Sequence, residues 1–263
     1  MKLAVANSKG GTGKTVTAVH VAAQWAYSGR KVLVIDTDPQ ASLTHWLGAQ
    51  DPDHTFAYEL ANEGSLTNCV YQTRIPNLHI VPASLNLANT ERELAAMMGG
   101  ELILSGMVDE IAPYYDAVLI DCVGDNGTLA WSSILAAENL LIPIEASYIA
   151  VDGVRSLIAA MKRLNRLYSH KNINLVGVVA CRVRPRELHS KDCIGLMQRE
   201  FGEIVLPVGI RDSVKIRECP AHHQTVFQYA PDSTAAQDLR EVADELLNRL
   251  ESGENEHTTK SAA

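Results

Sequence analysis

The residues with the clearest chemical purpose lie near the start of the chain. They are Ser8-Lys9-Gly10-Gly11-Thr12-Gly13-Lys14-Thr15, directly after the apolar run 3–6. The glycines let the backbone turn so that successive N–H groups face phosphate oxygens, and a helix that starts near Lys14 adds its positive end. Lys14 can then reach the β- and γ-phosphates, while the Thr15 hydroxyl can bind Mg²⁺. A glycine turn alone could be only a tight loop, but Gly-Lys-Thr at a helix start favours nucleoside triphosphate binding.

A second lysine, Lys9, stands at the front of this loop. An ordinary phosphate-binding loop needs only the lysine at the helix start. Lys9 therefore distinguishes this chain from most nucleotide-binding proteins of the same general type.

Carboxylates lie at the ends of two apolar runs that are predicted to be strands. Asp36 and Asp38 come after the run 32–35, and Asp121 ends the run 117–120. Side chains two residues apart on a strand point the same way. We expect one carboxylate near Mg²⁺ or its waters and another to orient an attacking water. A single aspartate at a strand end is usually a turn or cap residue, but three beside a phosphate loop are poorly explained as caps.

Apolar runs alternate with helical patterns along the whole chain, which predicts an α/β fold with a doubly wound, mostly parallel sheet flanked by helices. The predicted strands are Lys2–Ala6, Lys31–Ile35, Leu78–Val81, Ala117–Ile120, Asn139–Ile144, Leu175–Ala180 and Ile204–Pro207. The predicted helices are Thr15–Ser28, Ser84–Met98, Gly100–Ala112, Thr128–Ala137, Val151–Ser169, Glu187–Phe201 and Thr234–Leu250. We expect one domain over 1–251 and a disordered polar tail over 252–263.

Composition narrows the class of protein. The 263 residues include five scattered cysteines without a C-x-x-C pair, which favours reduced thiols over a metal or iron–sulfur site. A strand follows Met1 at once, and no apolar stretch is long enough to cross a bilayer. The sequence predicts a cytoplasmic protein.

Charge is unevenly distributed. The net charge is −8, yet the segment 155–217 holds 13 Lys/Arg against 5 Asp/Glu. This asymmetry is compatible with one basic face on an acidic body, although ordinary solvation of helices would also account for it.

Three segments carry a resemblance to a known family. Residues 9–15, Asp36-Thr37-Asp38-Pro39-Gln40 and 116–121 resemble the deviant Walker A, A′ and B segments of the ParA partition ATPases, in the wider ParA/MinD group. The segments 142–148 and 214–222 resemble later blocks of the same family, so the likeness extends from Met1 to about Leu250. The chain resembles the small form of the family, which has no helix-turn-helix before the P-loop.

The resemblance implies a role for each matching residue. Lys14 binds the β- and γ-phosphates, Lys9 reaches the partner's phosphates across an ATP-bound homodimer, and Asp38 positions the hydrolytic water. Thr15, Asp36 and Asp121 support Mg²⁺. The other implied nucleotide-binding residues are Gly10, Gly11, Thr12, Gly13, Thr17, Cys181, Arg182 and Pro220.

One departure from the family follows Asp121. The chain reads Cys122-Val123-Gly124-Asp125 where the family usually has prolines, which should loosen the loop that senses the γ-phosphate. Asp125 is either an extra carboxylate near the metal or a surface-turn residue.

The resemblance also implies what an ATP-bound dimer holds. Partition ATPases bind DNA without sequence preference, and the candidate residues are Arg182, Arg184, Arg186, Lys191, Arg211, Lys215 and Arg217. Each arginine alone could be only a surface ion-pair partner. A ParB-like adaptor and a nucleoid location are the further expectations. The alternatives are a MinD-like membrane-cycling ATPase, disfavoured because the last predicted helix lacks a basic amphipathic face, and an ATP-dependent metabolic ligase.

Overall fold

The protein is built around an eight-stranded sheet. The computed structural model describes residues 1–51, 53, 55–124, 127–169 and 171–261. The strand order is β3-β4-β2-β5-β1-β6-β7-β8, and every neighbouring pair is parallel except β3 and β4. The strands are β1 (Lys2–Val5), β2 (Val32–Asp36), β3 (Tyr71–Gln72), β4 (Leu78–Val81), β5 (Ala117–Asp121), β6 (Asn139–Glu145), β7 (Asn174–Val183) and β8 (Ile210–Arg211).

Helices cover both faces of this sheet. They are α1 (Lys14–Tyr27), α2 (Ser42–Trp46), α3 (Thr55–Ala61), α4 (Leu87–Ala96), α5 (Gly100–Ile111), α6 (Thr128–Ala137), α7 (Tyr148–Leu167), α8 (Leu188–Phe201), α9 (Val214–Glu218), α10 (Val226–Tyr229) and α11 (Thr234–Ser261). One apolar core contains residues of α3 to α8 and the other contains residues of α1, α2, α10 and α11. The predicted doubly wound α/β fold is confirmed.

The alternation of side chains along a strand explains these two cores. On β2, Leu33 and Ile35 belong to one core, while Val32 and Val34 belong to the other. All four are fully buried, so the strand is apolar throughout rather than alternating with polar residues. The carboxyl ends of the parallel strands meet at one edge, where loops place the chemically active residues.

The predicted strand Ile204–Pro207 is wrong. Residues 202–204 form a 3₁₀ turn, and Val205 makes an isolated parallel bridge with Val178. Pro207 has no N–H to donate to a ladder, so the sheet resumes only at β8. The short elements β3, α2, α3, α9 and α10 are additions that the sequence pattern does not predict.

Two predicted helices have different ends. The first, Ser84–Met98, is shortened to α4, because Met97 is extended and Gly99 has a φ of +78°. At the other end of the chain, α11 continues past Leu250 to Ser261 and enters the segment 252–263 whose composition predicts disorder. Adding residues to an existing helix costs less than starting one. The division into one domain and a tail stays a prediction.

The C-terminal elements are tied to α1 and α2 by buried polar contacts. The Trp25 indole donates to Ala243 O (2.9 Å), and the Trp46 indole donates to Gln224 O (2.8 Å). His20 on α1 accepts from Val226 N at Nε2 (3.0 Å) and so donates to Val16 O from Nδ1 (2.7 Å). Burial lowers the pKa of His20 to about 4, so the ring is neutral at neutral pH.

Candidate functional site

The loop between β1 and α1 is shaped by two glycines in the left-handed region. Gly11 has a φ of +74° and Gly13 a φ of +100°. A Cβ on Gly13 would lie 2.9 Å from Cys181 Sγ, so the loop packs directly against the end of β7. Glycine is thus required at 13 both by backbone conformation and by close approach.

The Lys14 side chain folds back along the loop toward Lys9. It is 7% exposed, and its ammonium donates to Lys9 O at 3.1 Å. On the other side, a Cβ on Gly124 would lie 2.9 Å from Nζ, so the ammonium packs over that glycine. The start of the loop is fixed by Asn7, which accepts from Lys9 N (3.0 Å) and donates to Pro143 O (2.7 Å).

Lys9 contrasts with Lys14 in its surroundings. Its side chain is exposed, and among the described residues it forms no hydrogen bond or ion pair. The backbone of Lys9 therefore serves the loop while its ammonium extends away from it.

Asp36 and Asp121 lie side by side beneath the loop, as register partners on β2 and β5. Both oxygens of Asp36 are used: Oδ2 accepts from Thr44 N (2.8 Å) and Thr44 Oγ1 (2.7 Å), and Oδ1 accepts from Asp38 N (3.1 Å). Burial raises the pKa of Asp36 to about 6, although these hydrogen bonds oppose the shift. The two adjacent, buried carboxyl groups therefore resist ionisation unless a cation compensates their charge.

Asp121 is the unusual member of the pair. It is 1% exposed, and neither carboxylate oxygen has a hydrogen-bond partner among the described residues. Burial, with Asp36 adding its charge, raises the pKa of Asp121 well above its usual range, while Thr15 and Lys14 oppose the shift. Unpartnered buried oxygens are costly, and a cation or its bound water would satisfy them.

Asp38 occupies a different position from Asp36. It is half-buried, lines the cleft described next, and accepts from Gln40 N at Oδ1 (2.9 Å). Its Oδ2 has no hydrogen bond to a described residue. Asp38 can therefore take a hydrogen bond from a ligand or water in the cleft.

A cleft of about 310 Å³ opens beside the loop. It is lined by Gly10, Gly11, Gly13, Lys14, Thr15, Val16, Asp38, Ser42, Gly124, Cys181, Arg182, Ile210, Arg211, Asp212, Ser213, Ile216 and Arg217. Four predicted nucleotide-binding residues are not among them: Lys9, Thr12, Thr17 and Pro220. Thr17 is fully buried, with Oγ1 4.0 Å from Cys181 Sγ, so it supports the cleft wall from behind.

The far wall of the cleft was missed by sequence reasoning. It consists of β8 and the start of α9, with Ile210, Asp212, Ser213 and Ile216 facing the loop. Ser213 caps α9 by accepting from Lys215 N (3.2 Å). The sequence signals for this wall are the resemblance of the segment 214–222 to a family block and the serine that precedes a short helical pattern.

The predicted DNA-binding residues divide into two sets. Three of them, Arg182, Arg211 and Arg217, line the cleft. Arg211 is engaged by Asp238, which accepts from its Nε at 2.8 Å. The rest, Arg184, Arg186, Lys191 and Lys215, are exposed outside the cleft.

Most of the exposed basic residues have acidic neighbours. The pairs are Arg182–Glu145 (3.9 Å), Arg184–Glu187 (3.3 Å), Arg184–Asp212 (3.3 Å), Lys215–Glu218 (3.1 Å) and Arg217–Asp212. Within the described ranges, Arg186 and Lys191 have no ion pair. Exposed pairs of this kind contribute little to stability, because water screens them.

The loop after β5 departs from the predicted family pattern in a specific way. Cys122 and Val123 are buried, and Gly124 reaches the cleft beside Lys14. Asp125 lies outside the described residues, so its two interpretations stay open. In the part of the chain that the structure covers, no helix is both long and apolar enough to span a membrane.

Comparisons with known proteins agree with this geometry. A family model described as an AAA domain matches residues 1–175. The chromosome-partitioning ATPase Soj of Thermus thermophilus is 31% identical over 250 residues, which are 95% of this chain and 96% of that protein.

Solved structures extend the likeness to three dimensions. The ATP complex of a McdA variant from Cyanothece superposes with a TM-score of 0.85 at 25% identity, over 95% of this chain and 96% of that one. The ADP and magnesium complex of cobyrinic acid a,c-diamide synthase from Mycobacterium smegmatis superposes with a TM-score of 0.80 at 28% identity, over 95% of each chain.

Proposed function

Because the chain belongs to the Soj/ParA family of P-loop ATPases, we propose that it hydrolyses ATP slowly and that its ATP-bound form is a homodimer that binds DNA without sequence preference. The ligands of its cleft are ATP and Mg²⁺. A ParB-like or other adaptor, together with DNA, would stimulate hydrolysis. Repeated binding and release at the nucleoid would then segregate or position a plasmid, a chromosome or a protein assembly.

The glycine loop and Lys14 hold the phosphates in this proposal. Gly11 and Gly13 turn the backbone toward the cleft, and the ammonium of Lys14, now on Lys9 O at 3.1 Å, exchanges that carbonyl for phosphate oxygens. Thr15, Asp36 and Asp121 hold Mg²⁺, with the unpartnered oxygens of Asp121 as the support for this assignment. Mg²⁺ supplies neutralisation of phosphate charge.

Asp38 orients the water that attacks the γ-phosphate. Among the three aspartates at the ends of β2 and β5, Asp38 is the one that lines the cleft, whereas Asp36 and Asp121 are buried. Its Oδ1 is fixed by Gln40 N, which leaves Oδ2 to accept a hydrogen bond from water. Positioning of this kind is the main protein contribution to phosphoryl transfer.

The main support for the proposed ATP-bound dimer is the exposure of the Lys9 side chain. The Lys9 side chain is exposed and does not line the cleft of its own protomer, while its backbone carbonyl accepts from Lys14. A second protomer facing this one would receive its ammonium beside the γ-phosphate, where positive charge stabilises phosphoryl transfer. Each site would then be completed by the other protomer.

We expect Lys9→Ala to keep ATP affinity of the monomer within about threefold and to abolish ATP-driven dimerisation. The reason is that Lys9 contacts its own loop only through the backbone. Light scattering of the protein with and without ATP measures this, and Lys162→Ala, at an exposed lysine of α7, is the matched control. Unchanged dimerisation of Lys9→Ala would contradict the role in trans.

DNA binding is proposed for the exposed basic residues outside the cleft and for the exposed Arg217, which lines the cleft. Arg186 and Lys191 supply charges without an ion pair among described residues, and Arg184 and Lys215 are exposed in pairs that water can separate. Two such surfaces in a dimer would contact several phosphates. Binding would then be strongly salt-dependent and independent of sequence.

The decisive experiment is DNA binding with and without ATP at low salt. Lys215→Ala should weaken the ATP-dependent binding severalfold and lower the slope of log Kd against log salt by about one per lost phosphate contact. Lys31→Ala, at the amino end of β2, is the control on the opposite edge of the sheet. Absence of ATP-dependent DNA binding in the unaltered protein would overturn the proposal.

A metabolic ligase of the same fold is the second candidate, favoured by the likeness to the Mycobacterium smegmatis structure. It would use ATP to activate a small carboxylate held beside the γ-phosphate. DNA would then leave the ATPase rate unchanged, whereas a partition ATPase would respond to it. An ATPase assay with and without DNA therefore separates the two.

A further inference from the structure

Asp212 joins two arginines that come from different elements. One carboxylate oxygen accepts from Arg184 Nε (3.3 Å), at the end of β7, and the other accepts from Arg217 Nη1, on α9. The backbone N–H of Asp212 donates to Val183 O at 3.0 Å, which fixes the residue against the sheet. Asp212 is 21% exposed, whereas Arg184 and Arg217 are 58% and 59% exposed.

The same carboxylate belongs to the nucleotide cleft. Asp212 and Arg217 line the cleft, whereas Arg184 does not, so Asp212 connects the cleft wall to the exposed basic surface. A ligand that fills a space of about 310 Å³ between the loop and β8 must contact the segment 210–213. Any contact that displaces the Asp212 carboxylate changes the pairing of both arginines at once.

The acidic partners cancel the charge of this part of the surface. Arg184 and Arg217 are balanced by Asp212 and Glu187, since Glu187 accepts from Arg184 Nη1 at 3.3 Å. For a DNA phosphate to bind either guanidinium, it must replace a carboxylate that is already in place. Glu187, unlike Asp212, lies outside the cleft. A nucleotide in the cleft would therefore not contact the Arg184–Glu187 pair.

We propose that Asp212 restrains Arg184 and Arg217 in the nucleotide-free protein and releases them to DNA when nucleotide occupies the cleft. This inference rests on the DNA binding proposed above and adds its regulation. The Asp212 carboxylate competes with DNA phosphate for the two arginines, and it lies in the cleft, where a bound nucleotide can displace it.

The test compares Asp212→Asn with Glu187→Gln, which removes the same charge from the same arginine but away from the cleft. DNA affinity is measured without nucleotide and with saturating ATP, after the nucleotide affinity of each variant has been determined. We expect Asp212→Asn to raise nucleotide-free affinity about tenfold at low salt and to reduce the enhancement by ATP correspondingly. Glu187→Gln should raise both affinities by a similar factor and leave their ratio unchanged.

Asp212→Glu keeps the carboxylate and should retain most of the ATP enhancement, while Asp212→Ser should reproduce Asp212→Asn if the asparagine variant does not fold. An unchanged ATP enhancement in folded Asp212→Asn or Asp212→Ser would overturn the restraint while leaving DNA binding intact. Failure of every protein, the unaltered one included, to bind DNA while ATP is still hydrolysed would overturn both proposals.

Discussion

Replacement of Lys14 by alanine is expected to lower ATP affinity by at least about a hundredfold, the largest single loss in the cleft. Hydrogen bonds to charged groups contribute about 1.5–3 kcal/mol each, and about 2.8 kcal/mol corresponds to a hundredfold. Lys14 is also a buried cation whose charge opposes the rise in the pKa of Asp121. Its loss would therefore weaken both phosphate and Mg²⁺ binding. Titration with a fluorescent ATP analogue measures the change.

Two further variants make this result specific. Lys14→Arg retains the charge, but a planar guanidinium does not reproduce the contacts of the ammonium with Lys9 O and over Gly124, so its ATP affinity should also fall. Lys31→Ala removes a lysine from the opposite edge of the sheet and should bind ATP normally. If Lys14→Ala binds ATP as the unaltered protein does, the phosphate site lies elsewhere.

Asp38→Ala is expected to reduce ATP turnover by at least about a hundredfold while ATP binding is preserved. Removal of a group that positions or activates the attacking water costs about 10²–10⁴ in rate. Binding should survive because Asp38 is half-buried and is hydrogen-bonded at Oδ1 only to the nearby Gln40 N. Phosphate release under saturating ATP, together with an ATP titration, separates the two effects.

The Asp38→Ala variant should also differ from the unaltered protein in its assembly state. A chain that binds but does not hydrolyse ATP should remain in its ATP-bound dimer and stay on DNA. Asp244→Ala, at an exposed position of α11, is the matched control and should turn over normally. Turnover of Asp38→Ala at the unaltered rate would remove Asp38 from the reaction.

Local chemistry made half of the cleft predictable. The glycine loop, Lys14 and Thr15 are contiguous, and Asp38 and Asp121 follow continuously apolar runs that could only be central strands. Parallel strands bring their carboxyl ends to one edge, so these residues had to meet. Asp36 and Asp121 are indeed register partners.

The other half depends on contacts that no local pattern encodes. Ile210 and Asp212 approach Gly11 and Gly13 only because β8 adds to the sheet beside β7, about 200 residues along the chain. Ion pairs between distant segments are likewise not encoded by a local sequence pattern. Arg211 looked like a surface cation, yet Asp238 holds its guanidinium, which only the packing of α11 against β8 could reveal.

The polar ties between α1 and the C-terminal elements bear on where this protein can be divided. The matched family region is 1–175, but the helix that begins at Lys14 depends on Val226 and Ala243 to satisfy His20 and Trp25. A fragment ending at 175 would leave a buried imidazole and indole unpaired and would expose the apolar face of α1. We therefore expect that the nucleotide-binding half does not fold as an autonomous unit, and that truncations or fusion junctions placed before 250 would damage the phosphate site from behind.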